Sequence, residues 1–228
     1  MRQDEPVLYG LMHRLVPPLL RAIWRPRVSG TENIPLTGPL IIASNHRSFI
    51  DSVVIPAVAP RPVSFLAKKD YFEGPGIKGF LIKTWFEIVG ALPVDRDDSK
   101  AALASLDTAL GVLAEGGAFG IYPEGTRSRD GRLYRGRTGV AQLALTSGAP
   151  IIPVGLIGTE RLQPVGSSRP RLVRLTVRFG EPIDVRGQYD GVPPGKARRE
   201  ITDRVMTEIQ KLCGQEEAGV YNDRPADA

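Results

Sequence analysis

The sequence contains very little cysteine and histidine. Its 228 residues include one cysteine, Cys213, so an intrachain disulfide and a cysteine-based zinc site are both excluded. Two histidines, His13 and His46, are the only source of imidazole for acid–base chemistry. Long hydrophobic runs are also missing. None approaches the roughly 20 apolar residues that cross a bilayer, and we expect no transmembrane helix.

Acidic residues are outnumbered by basic ones, and the basic set is mostly arginine. The 30 basic and 25 acidic residues give a net charge of +5, and 23 of the basic residues are arginines. Arginine binds phosphates and carboxylates through a planar fork, so this excess favours an anionic ligand or surface. We expect no nucleic-acid partner, because the basic residues lack the interleaved aromatics that stack on bases.

Segments typical of strands and of helices alternate along the chain. Strand patterns cover 39–44, 62–67, 90–94, 118–122, 151–155 and 172–179, and helical patterns cover 48–59, 79–89, 99–115, 140–146 and 196–212. In the third helix the spacing places Leu103 on one face with Leu113. The alternation predicts a single α/β domain with a mostly parallel central sheet flanked by helices. In such sheets ligands bind at the carboxyl ends of the strands.

The two ends of the chain differ in pattern from the part between them. From Val7 to Trp24, apolar residues recur in pairs every four residues, which predicts an amphipathic helical segment over 1–27. The pattern alone does not decide whether this helix packs on the domain or lies in a membrane interface. The α/β domain is expected over 28–213. Residues 214–228 are polar, and we expect a flexible tail there.

His46 is the most informative residue, because it directly follows a predicted buried strand. Asp51 lies five residues further on. If His46 lies in the turn before the next helix, the Asp51 carboxylate can fold back to the ring. It would then fix the tautomer and leave the other ring nitrogen as a base. The alternative is a helix-capping histidine with an unrelated surface aspartate.

A second motif, Tyr122–Ser128, runs from a predicted strand into a loop rich in arginine. Five arginines occur within eleven residues, namely Arg127, Arg129, Arg132, Arg135 and Arg137. Forked donors beside glycine and a threonine hydroxyl suit a phosphate group, although a solvated loop would have the same composition. The string Gly74–Gly79 matches GxGxxG but follows no strand, so we expect no dinucleotide site there.

Four blocks together carry a family resemblance. They are, in order, 45–51 with the HxxxxD spacing, 90–96 with its terminal arginine, 122–128 with Glu-Gly-Thr-Arg, and 151–154 with its proline. In this the chain resembles the 1-acylglycerol-3-phosphate acyltransferases, the PlsC-like glycerolipid acyltransferase family. The resemblance implies transfer of a fatty acyl group from acyl-CoA to the free hydroxyl of 1-acylglycerol-3-phosphate, giving phosphatidic acid in phospholipid biosynthesis.

The resemblance also implies roles for particular residues. His46 is expected to act as the general base and Asp51 to orient it. Backbone N–H groups at the start of the helix after His46 are candidates for stabilising the oxyanion. Arg127, with Lys68 and Arg96, is expected to bind the acceptor phosphate. The substrate pocket is expected to include Asn45, Glu124, Gly125, Thr126 and Pro153. No metal and no cofactor are expected, since acyl-CoA is a substrate.

The expected partners follow from amphiphilic substrates. They are acyl-CoA, lysophosphatidic acid or a related lysolipid, and an anionic membrane surface contacted by residues 1–27. The expected location is the cytoplasmic face of the cell membrane, peripheral or monotopic. Phe80, Leu81, Trp85 and Phe86 either line the acyl-chain path or belong to the core. Two alternatives stay open: the same chemistry on glycerol-3-phosphate or another lysophospholipid, and a non-catalytic anionic-lipid binding protein.

Overall fold

The fold is taken from a computed structural model of the chain. It describes residues 18–19, 21–88, 90–94, 101–163 and 171–222. Within these ranges seven strands form one sheet. They are β1 (Arg27–Ser29), β2 (Leu40–Ser44), β3 (Val63–Lys68), β4 (Ala91–Val94), β5 (Ala118–Ile121), β6 (Ile151–Ile157) and β7 (Thr176–Phe179).

The sheet has the spatial order β1-β7-β6-β2-β5-β3-β4. Every neighbouring pair is parallel except β6 and β7, which are antiparallel. The predicted α/β domain with a mostly parallel sheet is therefore confirmed. Residues 21–24, before β1, are helical. The helices that follow β1 are α1 (Asp51–Val58), α2 (Gly76–Ile88), α3 (Ala101–Ala114), α4 (Gly139–Ser147), the single turn α5 (Thr159–Leu162) and α6 (Pro194–Cys213).

Helices cover both faces of the sheet, and the alternation of side chains along β2 shows how. Leu40 and Ile42 belong to a core cluster that includes most of α1 and the end of α2. Ile41 and Ala43 belong to a second cluster, with residues of α3, α4 and α6. All five residues of β2 are buried, as expected for a central strand with helices on each side.

The structure departs from the predicted elements in the segment 172–179 and in the apolar face of α3. The alternating segment 172–179 is a strand only over β7, because β6 ends at Ile157, which lies opposite Thr176. In α3, Leu103 is 66% exposed, although Leu113 is buried as predicted. Leu103 lies in the first turn of the helix, whereas the residues that join the core come later.

Residues 214–222 also differ from the expected flexible tail. The Leu133 N–H donates to the Glu216 carbonyl (2.8 Å), and the Arg135 N–H donates to the Val220 carbonyl (2.9 Å). Gln215 is only 6% exposed. A polar composition alone indicated fraying, yet these residues pair with a loop of the domain. The rest of that predicted tail, 223–228, lies outside the described residues.

Candidate active site

The candidate site lies where β2, β3 and β5 end. These strands are neighbours in the sheet, and their parallel direction brings their carboxyl ends to one edge. His46 follows β2 by two residues, Lys68 is the last residue of β3, and Tyr122 follows β5 directly. The backbone between His46 and Asp51 is a turn rather than a helix, and α1 begins at Asp51 itself.

This turn lets the Asp51 carboxylate reach the His46 ring. The Nδ1 atom of His46 lies 2.9 Å from Oδ2 of Asp51. The same oxygen accepts the backbone N–H groups of Arg47 (2.7 Å) and Ser48 (2.9 Å). Asp51 is fully buried, whereas the His46 side chain is 16% exposed. Because a carboxylate only accepts hydrogen bonds, Nδ1 carries the hydrogen and Nε2 presents its lone pair.

The same contacts bear on the predicted oxyanion donors. The N–H groups of Arg47 and Ser48 lie at the start of the segment after His46, and both already donate to Asp51. These two groups therefore hold the carboxylate. They do not serve as oxyanion donors in this structure.

Tyr122 is part of the site, although the sequence analysis did not select it. Its ring stacks on the His46 ring, with centroids 3.8 Å apart and planes 9° apart. The Tyr122 hydroxyl lies 2.8 Å from Oγ of Ser52, and the ring of Phe65 stacks behind it at 5.3 Å. A Cβ on Gly120 would lie 2.1 Å from that Phe65 ring. The sequence signal for Tyr122 was an aromatic residue at the end of the predicted strand 118–122, directly before the arginine-rich loop.

Glu124, which was expected to shape the substrate pocket, holds the backbone on both sides of the site through its carboxylate. It is fully buried. One carboxylate oxygen accepts the backbone N–H of His46 at 2.9 Å, and the other accepts that of Tyr134 at 3.0 Å. Burial raises the pKa of Glu124 to about 7; the two N–H donors lower it in part, and the charge of Asp51 raises it further. Glu124 thus joins the candidate catalytic turn, residues 46–51, to the arginine loop, residues 125–137.

The raised pKa of Glu124 predicts a pH-dependent stability. As pH rises from the ordinary value of 4.5 to about 7, the unfolded chain loses this proton while the folded chain keeps it. The free energy of unfolding should therefore fall over that window, by on the order of 3 kcal/mol from this group. Glu124→Gln should remove this part of the slope in urea denaturation at pH 5 to 8. The exposed Glu115→Gln is the control, and an unchanged slope in Glu124→Gln would refute the prediction.

Asn45 and Pro153 were also expected at the pocket, and the contacts of both join β2 to β6. Asn45 is fully buried, and its side chain accepts the Leu156 N–H (2.8 Å) and donates to the Leu156 carbonyl (2.9 Å). Its Nδ2 also donates to Gln215 at 2.6 Å. Pro153 lies within β6, opposite Ala43 of β2. Asn45 fixes the end of β2 against β6, and the backbone before His46 is held by that contact.

The loop after β5 brings Arg127 close to the catalytic turn. The N–H of Ser128 donates to the His46 carbonyl at 2.8 Å. Arg127 is exposed, and Thr126 is half-buried. Gly125 has φ +79°, in the left-handed region, and a Cβ there would lie 3.1 Å from the Arg137 side chain. A glycine is therefore needed for this turn.

Of the two other predicted phosphate ligands, the structure describes only Lys68. Lys68 lies at the same edge of the sheet, where its ammonium forms an ion pair with Asp70 at 2.8 Å and its side chain is 40% exposed. Arg96 lies outside the described residues. Across the described ranges, no group of three or more His, Cys, Asp or Glu residues is arranged to hold a metal ion.

The apolar residues of α2 divide into two groups. Phe86 is buried in the core, and Trp85 packs against it. Phe80 is 66% exposed and Leu81 is 61% exposed, on the same side as Ile77 at 82%. The first pair belongs to the core, as one of the two open interpretations held. No helix among the described residues is both long enough and apolar enough to span a membrane.

Comparison with known proteins assigns the chain to a family. The family model described as Acyltransferase matches residues 25–157, more than half of the chain. A 1-acyl-sn-glycerol-3-phosphate acyltransferase from Bacillus subtilis is 28% identical over 188 residues, 82% of this chain and 87% of that protein. The protein of that name from Limnanthes douglasii is 36% identical over 145 residues, 63% of this chain. The chain spans 50% of that relative and 39% of chloroplastic BAT2 from Brassica napus, which is 30% identical over 61% of this chain.

A solved structure shares the fold. The 1-acyl-sn-glycerophosphate acyltransferase PlsC from Thermotoga maritima aligns with a TM-score of 0.68 and 23% sequence identity, over 90% of this chain and 79% of that one. The matched family region contains the His46–Asp51 pair, Tyr122 and the Glu-Gly-Thr-Arg sequence of the loop. The chain therefore belongs to the acyltransferase family.

Proposed function

We propose that this protein transfers a fatty acyl group from acyl-CoA to the free hydroxyl of 1-acylglycerol-3-phosphate, which yields phosphatidic acid. One observation carries the proposal: the His46 ring is held at 2.9 Å by a buried carboxylate, while part of the ring remains exposed at the sheet edge. The printed names of the relatives support the choice of acceptor. The donor rests on the chemistry of a thioester, which needs no protein nucleophile when the acceptor hydroxyl itself attacks.

The reaction needs one base, and the proposal assigns this role to His46. Nε2 takes the proton of the acceptor hydroxyl as its oxygen attacks the thioester carbonyl. The tetrahedral intermediate then collapses, the carbon–sulfur bond breaks, and the imidazolium returns the proton to the leaving thiolate. Asp51 stabilises the imidazolium and keeps Nδ1 protonated throughout. The electron-rich face of Tyr122, stacked at 3.8 Å, also favours the charged ring.

The acceptor phosphate is proposed to bind at the arginine loop. Arg127 is exposed and follows the strand that ends beside His46. Lys68 lies at the neighbouring strand end, and Arg96 completes the proposed set. Of the other loop arginines, Arg132 is paired with Asp130 at 2.7 Å. Arg127 is an exposed guanidinium one residue before Ser128, whose N–H donates to the His46 carbonyl.

Substitution of Arg127 should reveal this phosphate. Charge-assisted hydrogen bonds contribute about 1.5–3 kcal/mol, so Arg127→Ala should lower kcat/KM for lysophosphatidic acid roughly 10–100-fold. Arg127→Lys should be intermediate, because it keeps the charge and loses the fork. The control is Arg186→Ala, which removes an exposed arginine paired only with Asp184 in its own loop. An equal loss for 1-acylglycerol, which lacks the phosphate, would refute the assignment.

We propose further that the protein works at the cytoplasmic face of an anionic membrane, as a peripheral or monotopic protein. In the helical residues that precede β1, Leu19 is 58% exposed and Ile23 is 47% exposed. Arg21 ties this segment to the domain by donating to the Ala57 carbonyl at 2.6 Å. Apolar side chains that face outward beside arginines are typical of interfacial helices. Residues 1–17, which carry most of the predicted stripe, lie outside the described residues.

Removal of residues 1–26 should weaken binding to anionic phospholipid vesicles by about tenfold or more, because interfacial binding scales with buried apolar area and cationic charge. Turnover of a soluble short-chain lysophosphatidic acid should change much less than turnover of a long-chain acceptor in vesicles. Vesicle binding is measured by sedimentation, and turnover is measured with the short-chain and the long-chain acceptor. Unchanged vesicle binding by the folded, truncated chain would contradict a membrane role for this segment.

An acceptor panel tests the proposed function and its alternatives. Thiol release from acyl-CoA is measured with lysophosphatidic acid, glycerol-3-phosphate, lysophosphatidylcholine and 1-acylglycerol. The proposal predicts the highest kcat/KM with lysophosphatidic acid. A preference for glycerol-3-phosphate would favour the first alternative. Absence of acceptor-dependent thiol release, with retained binding to anionic vesicles, would favour the non-catalytic lipid-binding alternative.

A further inference from the structure

Residues 215–222, named here the C-terminal strap, run alongside the arginine loop, residues 125–137. The N–H of Leu133 donates to the Glu216 carbonyl, and the N–H of Ala218 donates back to the Leu133 carbonyl, both at 2.8 Å. Leu133 also forms a parallel bridge with Glu217. Backbone pairing of this kind removes conformational freedom from the loop. The strap is thus ordered against the part of the chain that carries Arg127.

The first residue of the strap joins the loop to the catalytic turn. Gln215 is 6% exposed. Its Nε2 donates to the Gly131 carbonyl at 2.7 Å, and its Oε1 accepts the Asn45 amide at 2.6 Å. Asn45 directly precedes His46. Gln215 therefore adds a buried link between the backbone of the loop and the side chain of the residue before His46, beside the contacts of Ser128 and Glu124 with the His46 backbone.

The last residues of the strap contact the other end of the loop. Asn222 donates to the Arg127 carbonyl at 3.2 Å. The guanidinium groups of Arg135 and Arg137 lie over the Tyr221 ring, 5.3 and 5.7 Å from its centroid. The strap thus engages two of the loop arginines through an aromatic ring. It holds the backbone of Arg127 while leaving that side chain exposed.

We infer that the C-terminal strap is a positioning element for acceptor recognition: it holds Arg127 in register with His46, so that a bound phosphate places the acceptor hydroxyl at the base. The inference rests on the proposed function, because the phosphate is the proposed ligand of Arg127. The strap lies beyond residues 25–157, which the family model matches. In this inference the strap positions Arg127 for binding the acceptor phosphate, and no residue of the strap needs to touch the reacting atoms.

Two truncations test the inference. A chain that ends at Asn222 keeps the strap and serves as the matched control, whereas a chain that ends at Gly214 lacks it. Loss of the strap should raise KM for lysophosphatidic acid about tenfold, with kcat changed far less, because the loop must be ordered at each binding event. Slow hydrolysis of acyl-CoA without acceptor should fall much less than acyl transfer to lysophosphatidic acid. The control truncation should match the full chain in all three measurements.

A point variant covers the case in which the longer truncation fails to fold. Asn222→Ala removes one bond to the Arg127 backbone at a half-buried position, and it should raise KM for lysophosphatidic acid a few-fold. Gln188→Ala is its control, because Gln188 also donates an amide to a backbone carbonyl, that of Asp184, in an exposed loop. Unchanged KM in both strap variants, or equal losses of transfer and of donor hydrolysis, would overturn the inference.

Binding without turnover separates this inference from the proposed function. In a His46→Ala background, the Kd of oleoyl lysophosphatidic acid is measured with and without the strap. A Kd that rises about tenfold on removal of the strap supports the inference even if no acyl transfer is found. A Kd that does not change refutes it, whatever the activity of the full chain.

Discussion

Replacement of His46 by alanine is expected to lower acyl transfer about 10²- to 10⁴-fold, the usual contribution of a positioned general base. An acceptor alcohol is a poor nucleophile at neutral pH, and no second histidine lies among the described residues. The His46 side chain is partly exposed at the sheet edge, and its ring contacts the buried carboxylate of Asp51. Transfer should therefore fall to the rate supported by substrate binding alone.

The His46→Ala chain should remain folded. The His46 backbone is fixed independently of its ring, because its N–H donates to Glu124 and its carbonyl accepts from Ser128. Thermal unfolding of the variant and of the wild type compares their stabilities. Acceptor-dependent thiol release measures their activities. Transfer at close to the wild-type rate in a folded His46→Ala chain would remove the basis of the mechanism.

Asp51→Asn is expected to cost about as much, in the range of 10²–10⁴-fold, because an amide holds the ring without stabilising its positive charge. Three donors converge on one Asp51 oxygen: the His46 ring and the N–H groups of Arg47 and Ser48. An asparagine oxygen in that place keeps the geometry, while the buried negative charge is lost. If the amide is turned instead, its hydrogens face donors and the ring loses its fixed tautomer.

Two measurements on Asp51→Asn report the loss of activity and the state of the His46 ring. Acyl transfer should fall steeply, and the NMR signal of the Nδ1–H proton of His46 should change its position or disappear. Asp107→Asn, an exposed change on α3, is the control for charge and fold. A wild-type rate in Asp51→Asn would show that Asp51 is only a helix-start residue.

Much of the fold followed from local pattern. Apolar runs such as Leu40–Ser44 predicted central strands, because both faces of such a strand are covered. The direction of a strand was harder to predict. The alternation in 172–179 does not show whether β7 runs parallel or antiparallel to β6, and in the structure the two strands are antiparallel. The three-residue strand β1 has no apolar pattern that would predict a strand. All its residues are exposed, and the strand forms through its pairing with β7.

The contact between His46 and Asp51 was predictable from the sequence, and the contacts that hold this pair in place were not. The strand end at His46 and the spacing to Asp51 predicted the contact that the structure shows. Glu124 and Asn45 were expected in the pocket because of their place in the motifs, yet their partners come from Tyr134, Leu156 and Gln215, far away in sequence. Such contacts depend on tertiary structure, and no local spacing encodes them.

The most direct test of the proposed chemistry joins thiol release to the mass of the product. The purified chain is supplied with palmitoyl-CoA and 1-oleoyl lysophosphatidic acid, and free thiol and lipid products are counted together. The proposed mechanism predicts one molecule of oleoyl-palmitoyl phosphatidic acid for each thiol released, and almost none of either from the His46→Ala chain. Thiol release that yields free palmitate and no phosphatidic acid, or product formation that survives in His46→Ala, would contradict it.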